Sequence, residues 1–168
     1  MKKISLALLI ASALTSPVYA GEVSITWQTP EKYTDIRPSS ETREAFQERV
    51  AKELGEVFVD LAKKLPNDVK WAITVTDVDL AGDVHPMMRG TANDIRIIKE
   101  IYWPRMSLSY RMTDGKGETI AEGQEDIKDM NFMMGMHIPS GHTSFEYEEK
   151  MLQDWFRKQQ RDKKFPTK

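Results

Sequence analysis

The chain has 168 residues with 24 basic and 26 acidic side chains, no cysteine, and a formal charge of −2. That balance argues against general nucleic-acid binding, which needs a basic footprint. The missing thiol excludes a disulfide framework and a cysteine nucleophile.

The first twenty residues read as an export signal. Lys2 and Lys3 supply a basic start, and Ile4 to Leu14 form an apolar run too short to span a bilayer. Val18 and Ala20 then provide a small-residue cleavage site. Cleavage after Ala20 is expected, giving a secreted, periplasmic chain from Gly21 with no transmembrane segment and, lacking cysteine, no lipid-modified end. Without Lys2 and Lys3 it keeps 22 basic residues against 26 acidic ones, about −4. Its 148 residues suit one domain, expected over 21–162, followed by a basic tail, 163–168, that frays into solvent.

Val23, Ile25 and Trp27 alternate with polar neighbours, the pattern of a half-buried strand. The stretch QTPEKYTDIRPSS reads as irregular. Phe46, Val50, Leu54, Val57, Phe58, Leu61 and Leu65 then recur at three- and four-residue steps on one helical stripe. Ser40 is the expected N-cap, and Pro66 the stop. Trp71, Ile73 and Val75 return to period two. The run DIRIIKEIYWP contains further β-type sequence, and Met106, Leu108, Tyr110 and Met112 share a strand face. TDGKGE predicts a hairpin turn using Gly115 and Gly117 for positive φ, with TIAEGQEDI as a return strand interrupted at Gly123. Thr143 and Glu146 have capping-box spacing before a final helix whose stripe is Tyr147, Met151, Leu152, Trp155 and Phe156. The expected fold is α+β: a single-domain two-layer sandwich, a mixed sheet with two helices on one face, in the order β-α-β-β-β-α.

Four stretches, WQTPEKYTDIRP, ITVTDVDLAGDV, DIRIIKEIYWPR and EKMLQDWF, resemble the exported bacterial family catalogued as domain of unknown function 3016. The similarity spans roughly Trp27 to Phe156. It implies a secreted single-domain protein and supplies no catalytic or binding residues.

The Asp-rich segment of that family likeness carries a register problem. Trp71, Ile73 and Val75 occupy odd positions, whereas Val78 and Leu80 occupy even ones. One residue of slip exchanges the faces of a strand, so a bulge or an end is expected between Val75 and Val78. An unbroken strand would turn Asp77 and Asp79 into the core at several kcal/mol each. Asp77, Asp79, Asp83, Asp94 and Arg96 are therefore the candidate binding residues, with the carboxylates expected to accept backbone N–H bonds or to pair with residues such as Arg96. As a calcium loop the segment is partial. Asp77, Asp79 and Gly82 fit positions 1, 3 and 6, but Ala81 and Met88 replace the acidic ligands at 5 and 12. A hydrolase built on Asp77, Asp79 and Asp94 is a further alternative.

Methionine and histidine form a second constellation. His85, Met87 and Met88 make one patch, and Met130, Met133, Met134, Met136 and His137 make another, with His142 just beyond. Thioether and imidazole ligands suit Cu(I), so His85, Met87, Met133, Met136 and His137 are candidate metal ligands. Against this, methionine is a ready gap-filler under loops. No phosphate loop or nucleophile motif occurs, and no cofactor is implied. The leading expectation is a non-enzymatic module binding an envelope protein or component. The alternative is a periplasmic protein handling copper or calcium.

Overall fold

The computed structural model describes residues 22–85, 94–134 and 143–168. The sheet has the order β1 (Glu22–Trp27), β2 (Lys70–Asp79), β5 (Arg105–Thr113) and β6 (Thr119–Lys128). β1 and β2 are parallel and are joined by helix α1 (Arg43–Ala62), as a parallel pair requires. The remaining pairs are antiparallel. Helix α2 (Glu146–Arg161) closes the fold, so the main sheet follows the expected β-α-β-β-β-α order. A separate two-stranded sheet pairs β3 (Asp83–His85) with β4 (Ile95–Ile97). The β-type run at DIRIIKEIYWP thus lies in this small sheet and not in the main one.

One core unites the layers. The expected stripe of α1 is buried throughout, and Trp71, Ile73, Val75, Met106, Leu108, Tyr110 and Met112 face it from the sheet. α2 adds Met151, Leu152, Trp155 and Phe156 to the same cluster, so both helices cover the same face. Trp71 sits among Phe58, Phe156 and Trp155 with ring centroids at 5.8, 5.7 and 6.3 Å. The opposite face carries Ser24, Thr26, Ala72, Thr74, Ser107, Ser109 and Arg111, none of them buried. One buried face and one wet face is the ordinary arrangement for an antiparallel sheet.

Local details depart from the sequence expectation where tertiary contacts intervene. The α1 cap is Thr42, whose hydroxyl accepts from the Ala45 N–H at 3.2 Å, while Ser40 lies two residues outside. α2 begins at Glu146 with Phe145 at the N-cap and no side-chain cap, so Thr143 and Glu146 do not form a capping box. Instead Glu53 of α1 accepts from the Thr143 hydroxyl at 2.9 Å and the Ser144 N–H at 2.6 Å. In the hairpin Gly117 alone takes positive φ, and Gly115 instead lies against Asp68. Gly123 does not interrupt β6; a Cβ there would stand 3.0 Å from the Tyr110 hydroxyl, so the glycine admits that ring.

The chain end needs a correction. Lys163 turns left-handed at φ 58, and Lys164 N–H and Phe165 N–H both donate to Gln159 O. This is a helix-terminating turn of the Schellman kind. It buries Phe165 against Tyr110, Trp155, Phe156 and Trp71 with centroids 5.0 to 5.7 Å away. The expected solvated tail is anchored at this residue because an aromatic ring gains more from the core than from water.

Candidate functional site

The ladder between β2 and β5 shifts register between Val75 and Asp77, leaving Thr76 as the extra residue. Before the shift Val75 faces Leu108 in the core; after it Val78 faces Met106, and Asp77 and Asp79 turn outward. The bulge is fastened from the neighbouring loop. Tyr33 donates its hydroxyl to Val75 O at 2.9 Å, where Gln28 N–H also bonds. Burial pushes the Tyr33 hydroxyl up to about 12, so it remains a donor. Asp35 then bridges to the end of β2, its N–H reaching Val78 O and its carbonyl accepting from Leu80 N–H.

That bridge assembles a network of carboxylates and guanidiniums. Asp77 accepts from both the backbone N–H and the hydroxyl of Thr34 at 2.6 Å. Asp79 is held by Arg105, whose Nε lies 2.8 Å away and whose Nη2 also bonds it. Asp83 accepts from Arg37 Nη2 at 2.7 Å, and Arg37 Nε reaches back to Asp35 at 3.3 Å. Arg96 pairs with Asp35 at 2.9 Å and donates to the carbonyls of Gly82, Ala81 and Arg37. Asp77 thus accepts a backbone N–H and Asp79 pairs with the guanidinium of Arg105, while Arg96, the basic residue singled out from the sequence, turns to Asp35 instead. Asp94 lies just before β4 on the exposed surface.

A cleft of about 290 Å³ opens over this network. Asp35, Asp79, Asp83, Arg37 and Arg105 line it together with Tyr102 and Trp103. Burial raises the Asp79 carboxyl above its ordinary value, Arg105 pulls it back, and Asp35 and Asp77 push it up. Beneath the floor Glu148 of α2 is 2 % exposed and accepts from the Ala81 N–H at 2.6 Å. Burial raises its carboxyl too, against the lowering effects of that N–H and of Arg96.

Three of the five candidate binding residues, Asp79, Asp83 and Arg96, thus meet at the network, with Asp77 at its margin. Sequence reasoning missed Asp35, Arg37, Arg105 and Glu148. Glu148 left a trace, since it lies four residues before Leu152 on the apolar stripe of the helix. Asp35 and Arg37 left none, because their roles follow from a loop crossing the end of β2, and Arg105 left none because it meets Asp79 only through the register of the β2–β5 ladder.

The metal candidates are divided. Met87, Met136 and His137 lie outside the described residues, as do Met88 and His142. Met133 is exposed, and His85 Nε2 stands 3.6 Å from Asp83 Oδ2, too long for a hydrogen bond. Among the described residues no three acidic or imidazole groups form a cluster that could hold a metal ion. What the arrangement supplies is a fixed surface of guanidinium donors, carboxylate acceptors and two aromatic rings.

No described helix is long and apolar enough to cross a membrane. The model of one protein family matches residues 21–158, and its description reads "Protein of unknown function (DUF3016)". No curated protein and no solved structure matches the chain.

Proposed function

The chain belongs to the DUF3016 family, and from that premise we propose that it is an exported, non-enzymatic binding module of the cell envelope that presents the Asp/Arg cleft to its ligand. One observation carries the proposal. Asp77, Asp79, Asp83 and Asp35 are each engaged by a guanidinium, a hydroxyl or a backbone N–H. Carboxylates tied in this way keep fixed positions, which suits recognition better than proton transfer, where a base must reach the proton it abstracts. Arg37 and Arg105 are each more than half exposed and can offer further N–H donors to a polar partner. Tyr102 and Trp103 add apolar surface with a polar tip, the usual anchors of a binding site.

Export is tested by osmotic-shock fractionation of a Gram-negative host expressing the full chain. The expected product is periplasmic and begins at Gly21; a cytosolic product retaining Met1 overturns it. Binding is tested with a photo-crosslinking residue at Trp103, against a control at Glu48 on α1. A discrete adduct from position 103 alone supports the cleft, and identical adducts from both positions sink it.

A second reading, metal handling, draws on His85, which closes β3 beside Asp83 and immediately precedes the segment containing Met87 and Met88. Elemental analysis of periplasmic protein decides it. Stoichiometric copper or calcium favours this reading, and its absence after reconstitution removes it.

A further inference from the structure

The outer edge of β6 is the other surface with unused chemistry. Asp129 N–H donates to Pro104 O at 3.3 Å, and the register runs unbroken from Arg105↔Lys128 to Met112↔Ala121. Residues of an antiparallel strand alternately send both backbone groups to one neighbour and then to the other side. The phase set by Asp129 therefore assigns Ala121, Gly123, Glu125 and Ile127 to β5. Glu122, Gln124, Asp126 and Lys128 turn their N–H and C=O groups off the sheet, where no described strand pairs with them.

Such a row is a template for another strand, and proteins commonly block it with proline, bulges or lysines. β6 has no proline, its one register shift lies at the hairpin end, and its single lysine is its last residue. What it has is negative charge. Residues 118–129 carry Glu118, Glu122, Glu125, Asp126 and Asp129 against Lys128. Arg111 pairs with Glu122 and Lys150 with Asp129, which leaves Glu118, Glu125 and Asp126 without a basic partner in an ion pair among the described residues. A second copy pairing through this edge would set carboxylates against carboxylates, which destabilises cross-strand pairs. The same charge attracts a strand bearing lysine or arginine. Beside the edge, a groove of about 380 Å³ runs between β6 and α2, with Ile127, Met151 and Trp155 as apolar walls. Its lining also holds acidic residues, Asp126 and Asp154 among them, and the lysines Lys128 and Lys158. Gln159 also lines it and is 4 % exposed; its Oε1 and the Trp155 Nε1 have no hydrogen-bond partner among the described residues.

We infer that β6 is a docking edge for an extended, basic segment of a partner protein, which adds to the sheet as a further strand. Main-chain bonds to the outward groups of β6 supply affinity, and alternate side chains reach toward the groove. The site shares no lining residue with the Asp/Arg cleft, so either can fail without the other.

The test uses the purified protein and a fluorescent peptide matching the 10 residues of β6 in length, alternating lysine with valine or threonine. Controls replace every lysine by glutamate, or place proline at the centre. The basic peptide is expected to bind about tenfold more tightly than either control and to slow hydrogen exchange at Glu122, Gln124, Asp126 and Lys128. Gln124→Pro, which removes one outward N–H and leaves the bonds to β5, should weaken binding about tenfold. If that variant melts early, the pair Glu122→Lys with Asp126→Lys tests the charge with the backbone intact and should weaken it similarly. Equal binding of the acidic peptide, no binding at millimolar peptide, or exchange protection away from β6 overturns the inference.

Discussion

Glu148 accepts the Ala81 N–H from inside the core, directly under the loop that carries the Asp/Arg network. Burial is the largest influence on its carboxyl and raises it above the ordinary 4.5, while the Ala81 N–H and Arg96 draw it down and Asp79 pushes it up. A carboxyl raised in the folded state holds its proton more tightly there than in the unfolded chain. Its contribution to stability is fully present below 4.5 and is lost as pH rises through the folded value. Glu148→Gln keeps an acceptor for Ala81 and removes the buried charge. Thermal melts should place the variant above the wild type at about pH 8, with the two converging near about pH 4. A difference that stays constant with pH would assign the titration elsewhere. At this scale the sequence was legible for Asp77 and Asp79, whose parity against Val75 and Val78 already required them to leave the core. It was illegible for Asp35 and Arg37, which carry no periodic signal and matter only because their loop crosses the end of β2.

The turn from β2 into β3 sets the geometry of the cleft at the level of elements. Gly82 has φ +83, and a Cβ there would lie 2.6 Å from Ile98 Cδ1 and 2.7 Å from Ile97 O. Gly82→Ala combines left-handed strain with a collision against backbone. It should cost about 2–3 kcal/mol in urea unfolding and displace Asp83 from Arg37. A cost below about 0.5 kcal/mol would mean the turn adapts and does not hold the cleft. Helices and main strands could be read from their periods, because amphipathic burial is a local pattern. The pairing of β3 with β4 could not, since each is three residues long and too short to show a period. The caps differ for a related reason. The entry to α2 is held by Glu53, a residue of another helix, which no local motif can reveal.

Across the whole molecule, stability converges on the cluster around Trp71, and Phe165 completes it from the far end of the chain. The ring is 2 % exposed and touches residues of β2, β5 and α2. Phe165→Ala should lower stability by about 3–5 kcal/mol, measured by denaturant unfolding, and truncation after Asp162 should cost at least as much. Unchanged stability in either variant would return the last six residues to the solvated tail suggested by their lysines. The sequence by itself determined the class, the two helical stripes, the faces of the main strands and the need for a bulge after Val75. Each follows from short-range periodicity meeting the cost of burying charge. Only the tertiary structure decided which guanidinium holds which carboxylate, that Glu148 lies beneath them, and that Phe165 belongs to the core. Apart from the Arg37–Asp35 pair, those contacts join residues tens of positions apart, and their energies depend on a proximity that exists only once the sheet and helices have packed.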